Sequence, residues 1–485
     1  MKLKKLIKDI SINEIKGSKD VEITGISVNS KLVAPGHLFV AKKGHLDDGT
    51  KYIPEAVQAG AVAILTDLYD PSLEVTQIID SQIAEKEALI AATFYQFPSN
   101  ELFMIGITGT NGKTTTSFLV KYLLDQSGAL SGLIGTIEYI IGTHRYSATR
   151  TTPDVISNHK MLRDMLNHHS KCCVMEVTSH ALDQNRVEKI DFDVALFTNL
   201  TLDHLDYHGS IEKYAEAKAK LFDGLKKEAT ACINCDSPYS ETMIKNCKAK
   251  IIRYGFSEKA DLRASDIVLS PTGTSFNLIY QNKTYPVRVP LVGRYNVLNV
   301  LAAISALIAY GKSVESLLPI IKNFPQVLGR IEPVPNDLNL NIIVDFAHSD
   351  DALINVLECL NEFKKGRIIT VFGCGGDRDR TKRPKMAAAA ELHSDICIVT
   401  NDNPRSEDPT IIANEVISGF TKNNYLVELD RRLAIKKAID LATADDIILI
   451  AGKGHETYQI FQHKTCEFDD RKVALEIIEE KLARV

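Results

Sequence analysis

Between residues 102 and 126 the chain reads LFMIGITGTNGKTTTSFLVKYLLDQ. An apolar run is followed by a glycine-rich stretch, and then by Phe118, Leu119, Tyr122 and Leu123 at helical spacing. This order predicts a strand, a turn of Gly106, Gly109 and Gly112, and a helix. Before it, residues 21–28, 37–41, 61–66 and 76–79 are short β-like runs separated by turns and helix-like stretches, an α/β pattern. After it, apolar runs at 172–177 and 192–200 end in polar clusters, and 231–292 reads as further strands and turns. From about residue 328, four apolar runs (340–346, 367–373, 395–400 and 446–451) alternate with helix-like stretches, which predicts a mainly parallel Rossmann-like sheet. The expected fold is therefore α/β in three domains: a small α/β unit over 1–99, a P-loop-type ATPase unit over 100–327, and a Rossmann-like unit over 328–485.

Composition narrows the classes. A chain of 485 residues is too long for one ordinary core and suits three. With 45% hydrophobic and 25% charged residues, it is an ordinary globular chain. A net charge of −5 gives no support to a nucleic-acid partner. No apolar run is long enough to span a bilayer, and the N-terminus lacks the apolar core of a signal peptide; a cytoplasmic protein without membrane insertion is expected. The nine cysteines are odd in number, and the C-x-x-C of Cys232 and Cys235 has no second pair at zinc-site spacing. They read as small buried apolar groups in a reducing compartment.

The turn at 109–115 carries the first chemistry. Glycines allow a polyphosphate to approach the backbone, and the amides opening the helix point towards it. Lys113 supplies charge to the β/γ oxygens, and Thr114 or Thr115 offers a hydroxyl to Mg²⁺. The common G-x-x-x-x-G-K-[ST] spacing is not met, since Ile107 lies five before Gly112. ATP binding is nonetheless expected. Glu176 ends an apolar strand, where a carboxylate must neutralise or meet a cation. The following run ends in Asn199, Asp203, His204, Asp206 and His208. On the helix-like segment after it, Lys213, Lys218 and Lys220 read as a solvated face. Asn296 and Asn299 share one helical face, the plain reading being an N-cap and a polar surface residue.

Each of the four C-terminal runs also ends in polar residues: Asp345–His348, Gly373–Arg378, Asp402–Arg405 and Gly452–Glu456. Parallel strands bring such ends to one edge, where ligands gather. Arg378 and Arg405 are planar forks suited to a carboxylate, and Asp402 and Glu456 suit ammonium groups. Pro404 fixes its own φ and restricts Asn403, giving Arg405 a defined direction. An amino acid charged at both ends fits this set.

TGTNGKTT, EVTSH, TNLTLDHLDYHG, YAEAK, GRYNVLN, GRIE, DFAH, FGCGGDRD with KRP, DNPR and GKGHE occur in this order. From about residue 24 to the C-terminus the chain thereby resembles the Mur ligases and the related folylpolyglutamate synthases, which join an amine to a carboxylate using ATP. The resemblance implies catalytic roles for Lys113, Glu176, His204 and Lys218. It implies metal ligation by Thr114, Glu176, His204 and Lys218, the last as a carbamate formed with CO₂. ATP contacts would be Gly109, Thr110, Asn111, Gly112, Lys113, Thr114, Thr115, Asn296, Asn299, Arg330 and Asp345. A UDP-muramoyl-dipeptide would meet Val28, Ser30, His45, Leu46, Asp47, Arg150, Thr151, Thr152, Thr178, Gln184 and Arg186. DNPR resembles the signature of the branch that adds meso-diaminopimelate, implying an acceptor site of Arg378, Asp402, Asn403, Pro404, Arg405, Gly452 and Glu456. ATP, Mg²⁺, these small molecules and a monomeric state are the implied partners and form. Asn29, Lys31, Phe346 and Asp350 depart from the family pattern. Two other readings stand beside this one: the same ligation with L-lysine, and an ATP-binding switch or ATPase that would need no amino-acid acceptor.

Overall fold

The computed structural model describes residues 1–43, 48–270, 272–462 and 464–483; the expected uridine contacts His45, Leu46 and Asp47 lie outside them. The first sheet runs Glu14–Lys16, Thr76–Ile79, Ala63–Thr66, His37–Val40, Gly25–Ser27, and is parallel except for its first strand. The β-like run at 21–28 is a strand only over Gly25–Ser27. The polar segment Glu14–Lys16, which the pattern does not predict, supplies the antiparallel edge. The core of this unit continues onto Val155 and Ile156 of the helix Val155–Asn167, so the N-terminal sheet is seated on the larger one.

Among the described residues the second sheet has eleven strands, and Phe103–Thr108 lies between Val194–Phe197 and Cys172–Glu176, parallel to both. Its residues are apolar on both faces because helices cover both. Lys113–Gln126 and Arg294–Ala309 pack on one side. On the other, Tyr214, Leu221 and Phe222 of Ile211–Asp223 join Phe197 in a second core. Gly106, expected in the turn, instead lies inside the strand. A Cβ there would approach the Phe192 ring to 2.9 Å, so this glycine serves packing against the sheet rather than the phosphate loop. The outer edge, Leu262–Ser270, Gly273–Tyr280 and Lys283–Val289, is an antiparallel meander.

The third sheet runs Glu332–Pro333, Asn341–Asp345, Ile447–Ala451, Ile368–Phe372, Ile396–Val399, Tyr425–Val427, parallel except for its first strand. Its four middle strands are the four apolar runs of the sequence. Their ends therefore meet on one edge, joined there by a hairpin, Tyr458–Phe461 with Lys464–Glu467, that the sequence pattern does not announce. The linker into this sheet is clasped by Asp345, whose carboxylate accepts from Ile331 N at 2.7 Å and Ala347 N at 2.8 Å. No helix among the described residues is long and apolar enough to cross a membrane.

Candidate active site

Two lysines, one at the end of the phosphate loop and one from Ile211–Asp223, hold its carbonyls. Lys113 Nζ donates to the carbonyls of Gly109 at 2.8 Å and Thr110 at 2.7 Å, and Lys218 Nζ donates to Gly109 O at 2.9 Å. Gly112 precedes the helix at φ +84°, in the left-handed region, and a Cβ would collide with Asn299 Oδ1. Asn299 is buried, as is Asn296, so neither is the N-cap or surface residue of the plain reading. The helix starts from Gly293. An amide chain runs inward instead: Asn296 Nδ2 donates to Val292 O, Asn299 Nδ2 to Asn296 Oδ1 at 3.0 Å, and Thr116 Oγ1 to Asn299 Oδ1 at 3.3 Å. Asn299 thereby braces the loop through the helix that follows it.

Glu176 is fully buried at the end of its strand. Its carboxylate accepts from Thr114 Oγ1 at 3.1 Å, Thr136 N at 3.0 Å, Thr136 Oγ1 at 2.8 Å and Ser117 Oγ at 3.4 Å. These donors hold it as an oxygen ligand beside the first turn of the P-loop helix. Arg330 Nη2 reaches across from the linker to Thr114 Oγ1 at 3.2 Å, its guanidinium 4.8 Å from the Phe346 ring centre. Mg²⁺ takes few protein ligands and completes its shell with water and phosphate oxygens. Thr114 and Glu176 form such a two-ligand set, and they fit it. Among the described residues no group of three or more His, Cys, Asp or Glu is arranged to hold a metal on its own.

Lys218 is not on a solvated face. It is 1% exposed, with Nζ 4.5 Å from the Tyr214 ring centre. Burial, reinforced by the neighbouring charge of Lys113, pushes its amine well below the ordinary lysine value, while Asp203 opposes this. Tyr214 stands four before Lys218, and Leu221 and Phe222 three and four after it, on the helix's apolar stripe; that spacing is the signal the sequence reading overlooked. Lys220, by contrast, is half exposed and pairs with Asp183 at 3.1 Å. His204 sits at φ +53° with Nε2 3.6 Å from Asp203 Oδ2. Burial lowers its imidazole below the ordinary value and Asp203 works against the shift. His180 packs edge-on against it, ring centres 4.8 Å apart.

The threonine turn at 150–152 does not cap the next helix; Asp154 does, accepting from Ser157 N at 3.0 Å. Thr152 Oγ1 instead donates to Glu176 O at 2.8 Å and accepts from Thr178 N at 3.1 Å, tying this turn to the end of Cys172–Glu176 and to the cap of the helix after it. Thr151 lies 3.2 Å from Thr136, and the carbonyl of Arg150 accepts from Tyr139 OH. Arg186 donates to Thr152 O and to Gln184 Oε1, whose amide donates in turn to Tyr207 OH at 3.1 Å. In the N-terminal unit, Ser30 is buried with its hydroxyl donating to Glu55, while Val28 packs at the edge of that core.

The C-terminal set converges. A cleft of about 340 Å³ has Asp203, His204 and Asp206 on one wall and Arg378, Asp402, Asn403, Arg405, Gly452 and Glu456 on the other. Arg405, within the DNPR loop, has φ +53°. The hairpin holds it there: Arg405 N donates to Ile460 O at 3.0 Å and Gln462 N to Arg405 O at 2.5 Å. Its Nη1 donates to Gly376 O at 2.7 Å. Burial and then Arg378 lower its guanidinium from the ordinary value, while Asp402 and Glu456 resist this. Gly452, at φ +112°, lies so close to Asp402 that a Cβ would stand 2.8 Å from its Oδ2.

Three supporting side chains escaped the sequence reading. Fully buried Lys453 donates to Glu456 Oε2 at 3.1 Å and Asn403 Oδ1 at 3.2 Å. Fully buried Arg383 pairs with Glu407 at 2.8 Å and Glu415 at 2.6 Å and donates to Gly375 O. Arg431 and Asp470 form a fully buried bidentate pair, with Arg431 also donating to Asn401 O and Ala451 O. A cation inside a polar cluster has no periodic signature, so only the fold reveals these.

Three family models match the chain: "Mur ligase family, catalytic domain" over residues 22–94, "Mur ligase middle domain" over 107–307, and "Mur ligase, glutamate ligase domain" over 329–454. The chain is 42% identical over 481 residues to the UDP-N-acetylmuramoyl-L-alanyl-D-glutamate–2,6-diaminopimelate ligase of Chlamydia caviae, covering 99% of each. It is 44% identical over 486 residues to the ligase of the same name from Chlamydia pneumoniae, again covering 99% of each. A solved structure with that ligase name superposes with a TM-score of 0.70 at 31% identity, covering 99% of both chains.

Proposed function

Because the chain belongs to the Mur ligase family, we propose that it is the ATP-dependent amide ligase adding meso-diaminopimelate to UDP-N-acetylmuramoyl-L-alanyl-D-glutamate. This is a step of peptidoglycan precursor synthesis, and we place the enzyme in the cytoplasm as a monomer. The observation carrying the reading is the cleft with phosphate-side His204 on one wall and the DNPR and GKGHE residues on the other. It accounts for an acceptor that an ATPase alone would not need, and the 42% identical relative bears the diaminopimelate name rather than a lysine one.

The γ-phosphoryl group of ATP passes to the free carboxylate of the D-glutamyl residue, giving an acyl phosphate and ADP. The acceptor amine then forms the C–N bond as the C–O bond to phosphate breaks, releasing phosphate and the amine's proton. The P-loop amides and Lys113 orient the polyphosphate and offset its charge. Bound at Thr114 and Glu176, Mg²⁺ would neutralise phosphate charge. Lys218 as a carbamate, with His204, would serve a second ion. The neutral amine is the form that adds CO₂, and burial, with Lys113 beside it, shifts Lys218 towards that form. Arg330 lies against Thr114, where it adds positive charge at the same phosphates, and Asp345 fixes the linker that carries it. Asn296 and Asn299 support the nucleotide side, and Arg150, Thr151, Thr152, Thr178, Gln184 and Arg186 the muramyl side. Arg378 and Arg405 would take the distal carboxylate of diaminopimelate while Asp402, Asn403 and Glu456 position its ammonium, contributing orientation rather than covalent chemistry.

The deciding experiment measures phosphate release with ATP, Mg²⁺ and UDP-muramoyl-dipeptide, adding meso-diaminopimelate, L-lysine or no amino acid in parallel. Release with tripeptide product only in the diaminopimelate reaction is expected. Release with lysine alone would overturn the specificity, and release independent of any acceptor would overturn the ligase.

A further inference from the structure

Lys453 has no assigned part in this site, yet its surroundings are those of a functional group. Its side chain is 0% exposed, in a loop that otherwise opens onto the cleft, and its ammonium lies 3.1 Å from Glu456 Oε2 and 3.2 Å from Asn403 Oδ1. Asn403 is locked by this contact: its Oδ1 also accepts from Ile460 N at 3.1 Å, and its Nδ2 donates to the same Glu456 oxygen at 3.0 Å. Glu456 keeps about a fifth of its side chain exposed (19%), so it faces the cleft with one oxygen engaged from behind.

We propose that Lys453 is a specificity-determining residue that discriminates against acceptors ending in a bare ammonium group. The inference rests on the reading of this cleft as the amino-acid site. Lys453 is the internal counter-ion of Glu456. It occupies the carboxylate that a cationic side chain would otherwise use, and being wholly buried it cannot swing away. An acceptor whose far end is a zwitterion brings its own carboxylate to Arg378 and Arg405, and so gains from the cationic side of the cluster. Either acceptor brings an ammonium to a Glu456 whose charge Lys453 already offsets; diaminopimelate recovers the loss through its carboxylate, whereas a lysine side chain brings only positive charge and meets the two arginines without compensation. Specificity of this kind is built from an unfavourable element set against the wrong ligand as much as from contacts to the right one.

The test compares wild type, Lys453→Met and the double variant Lys453→Met/Glu456→Gln, reading kcat/KM for meso-diaminopimelate and for L-lysine at saturating ATP and UDP-muramoyl-dipeptide. Lys453→Met is expected to lower the diaminopimelate-to-lysine ratio by about tenfold or more, chiefly through better use of lysine, since a partly buried carboxylate deprived of its counter-ion gains from a new cation. The double variant, with no carboxylate left to expose, is expected to return most of that ratio. A ratio unchanged in Lys453→Met, equal losses for both acceptors, or no return in the double variant would overturn the proposal. So would failure of both Lys453→Met and Lys453→Gln to give a cooperative melting transition, because the ammonium would then serve the fold. Wild type turning over without any dependence on diaminopimelate would instead defeat the reading of the cleft, before any variant is compared.

Discussion

At the residue scale the site depends on side chains kept in states that water would not allow. Lys218 is the clearest: an amine at 1% exposure, beside a carbonyl and an aromatic face, with a second lysine nearby, is held towards its neutral form. Lys218→Ala is expected to lower kcat on the order of a hundredfold or more, and to recover part of it with added acetate or propionate, which replace the lost carboxylate of a carbamate. Steady-state rates with and without the additive check this, and absence of any recovery would count against the carbamate. Gly112 is the complementary case, where the requirement is for no side chain at all. Gly112→Ala places a Cβ at φ +84° against Asn299, and left-handed backbone alone costs an L-residue about 1–2 kcal/mol. ATP affinity measured by titration calorimetry is expected to fall by about tenfold, with little change in the binding of diaminopimelate.

At the element scale, strands that run parallel deliver their C-terminal ends together, and this much was legible in the sequence. The four apolar runs from 340 to 451 became adjacent strands, and Asp402, Arg405, Gly452 and Glu456 arrived at one edge because of it. What the pattern could not show was how those ends are kept still. The hairpin at 458–467 consists of two four-residue strands, too short to outweigh the polar residues around them, yet it fixes Arg405. Glu14–Lys16, largely exposed and three residues long, offers no pattern to read, and the inward amides of Asn296 and Asn299 were missed for a related reason: a polar residue reads as exposed unless its partner, distant in sequence, is known. Arg383 shows the consequence. Its two carboxylates, Glu407 and Glu415, come from the loop just after DNPR and from the helix Pro409–Ile417 that follows it, and Glu407 also accepts from Asp377 N at 2.6 Å. Hydrogen bonding from Arg383 pulls the Glu407 carboxyl down to about 2. Because the folded value lies below the ordinary one, this stabilisation is complete above about pH 4.5 and is lost as pH falls towards 2. Arg383→Met is expected to cost about 3 kcal/mol at neutral pH and to flatten the fall of melting temperature between pH 5 and 3. Scanning calorimetry across that range would show the difference, and an unchanged acid slope would remove Arg383 as its source.

At the scale of the whole molecule, phosphate loop and acceptor cleft lie on different sheets, so the chemistry depends on how the third sheet is docked against the second. Polar ties cross that boundary. Arg330 reaches Thr114, and the carboxylate of Asp351 accepts from Asn111 Nδ2 at 2.6 Å and from Thr201 Oγ1 at 3.0 Å. Asp351 opens the helix that follows the Asp345–His348 strand end, whereas Asn111 is in the phosphate loop and Thr201 begins the segment carrying His204. One carboxylate thus links the nucleotide loop, the histidine loop and the acceptor unit. Burial raises its carboxyl above the ordinary value while Thr201 holds it down, so the ties are what make a charge tolerable there. Asp351→Ala removes both bonds and leaves Asn111 and Thr201 unpaired, without touching Arg378, Asp402, Arg405 or Glu456. The expected outcome is a fall in kcat of about tenfold, diaminopimelate affinity within about twofold of wild type because its own pocket is intact, and a larger radius of gyration by small-angle X-ray scattering. Asp351→Asn, which keeps an acceptor oxygen of the same reach, is expected to stay close to wild type in all three. If Asp351→Ala instead weakened diaminopimelate binding as much as kcat, the residue would belong to the acceptor pocket rather than to the docking of one sheet on another.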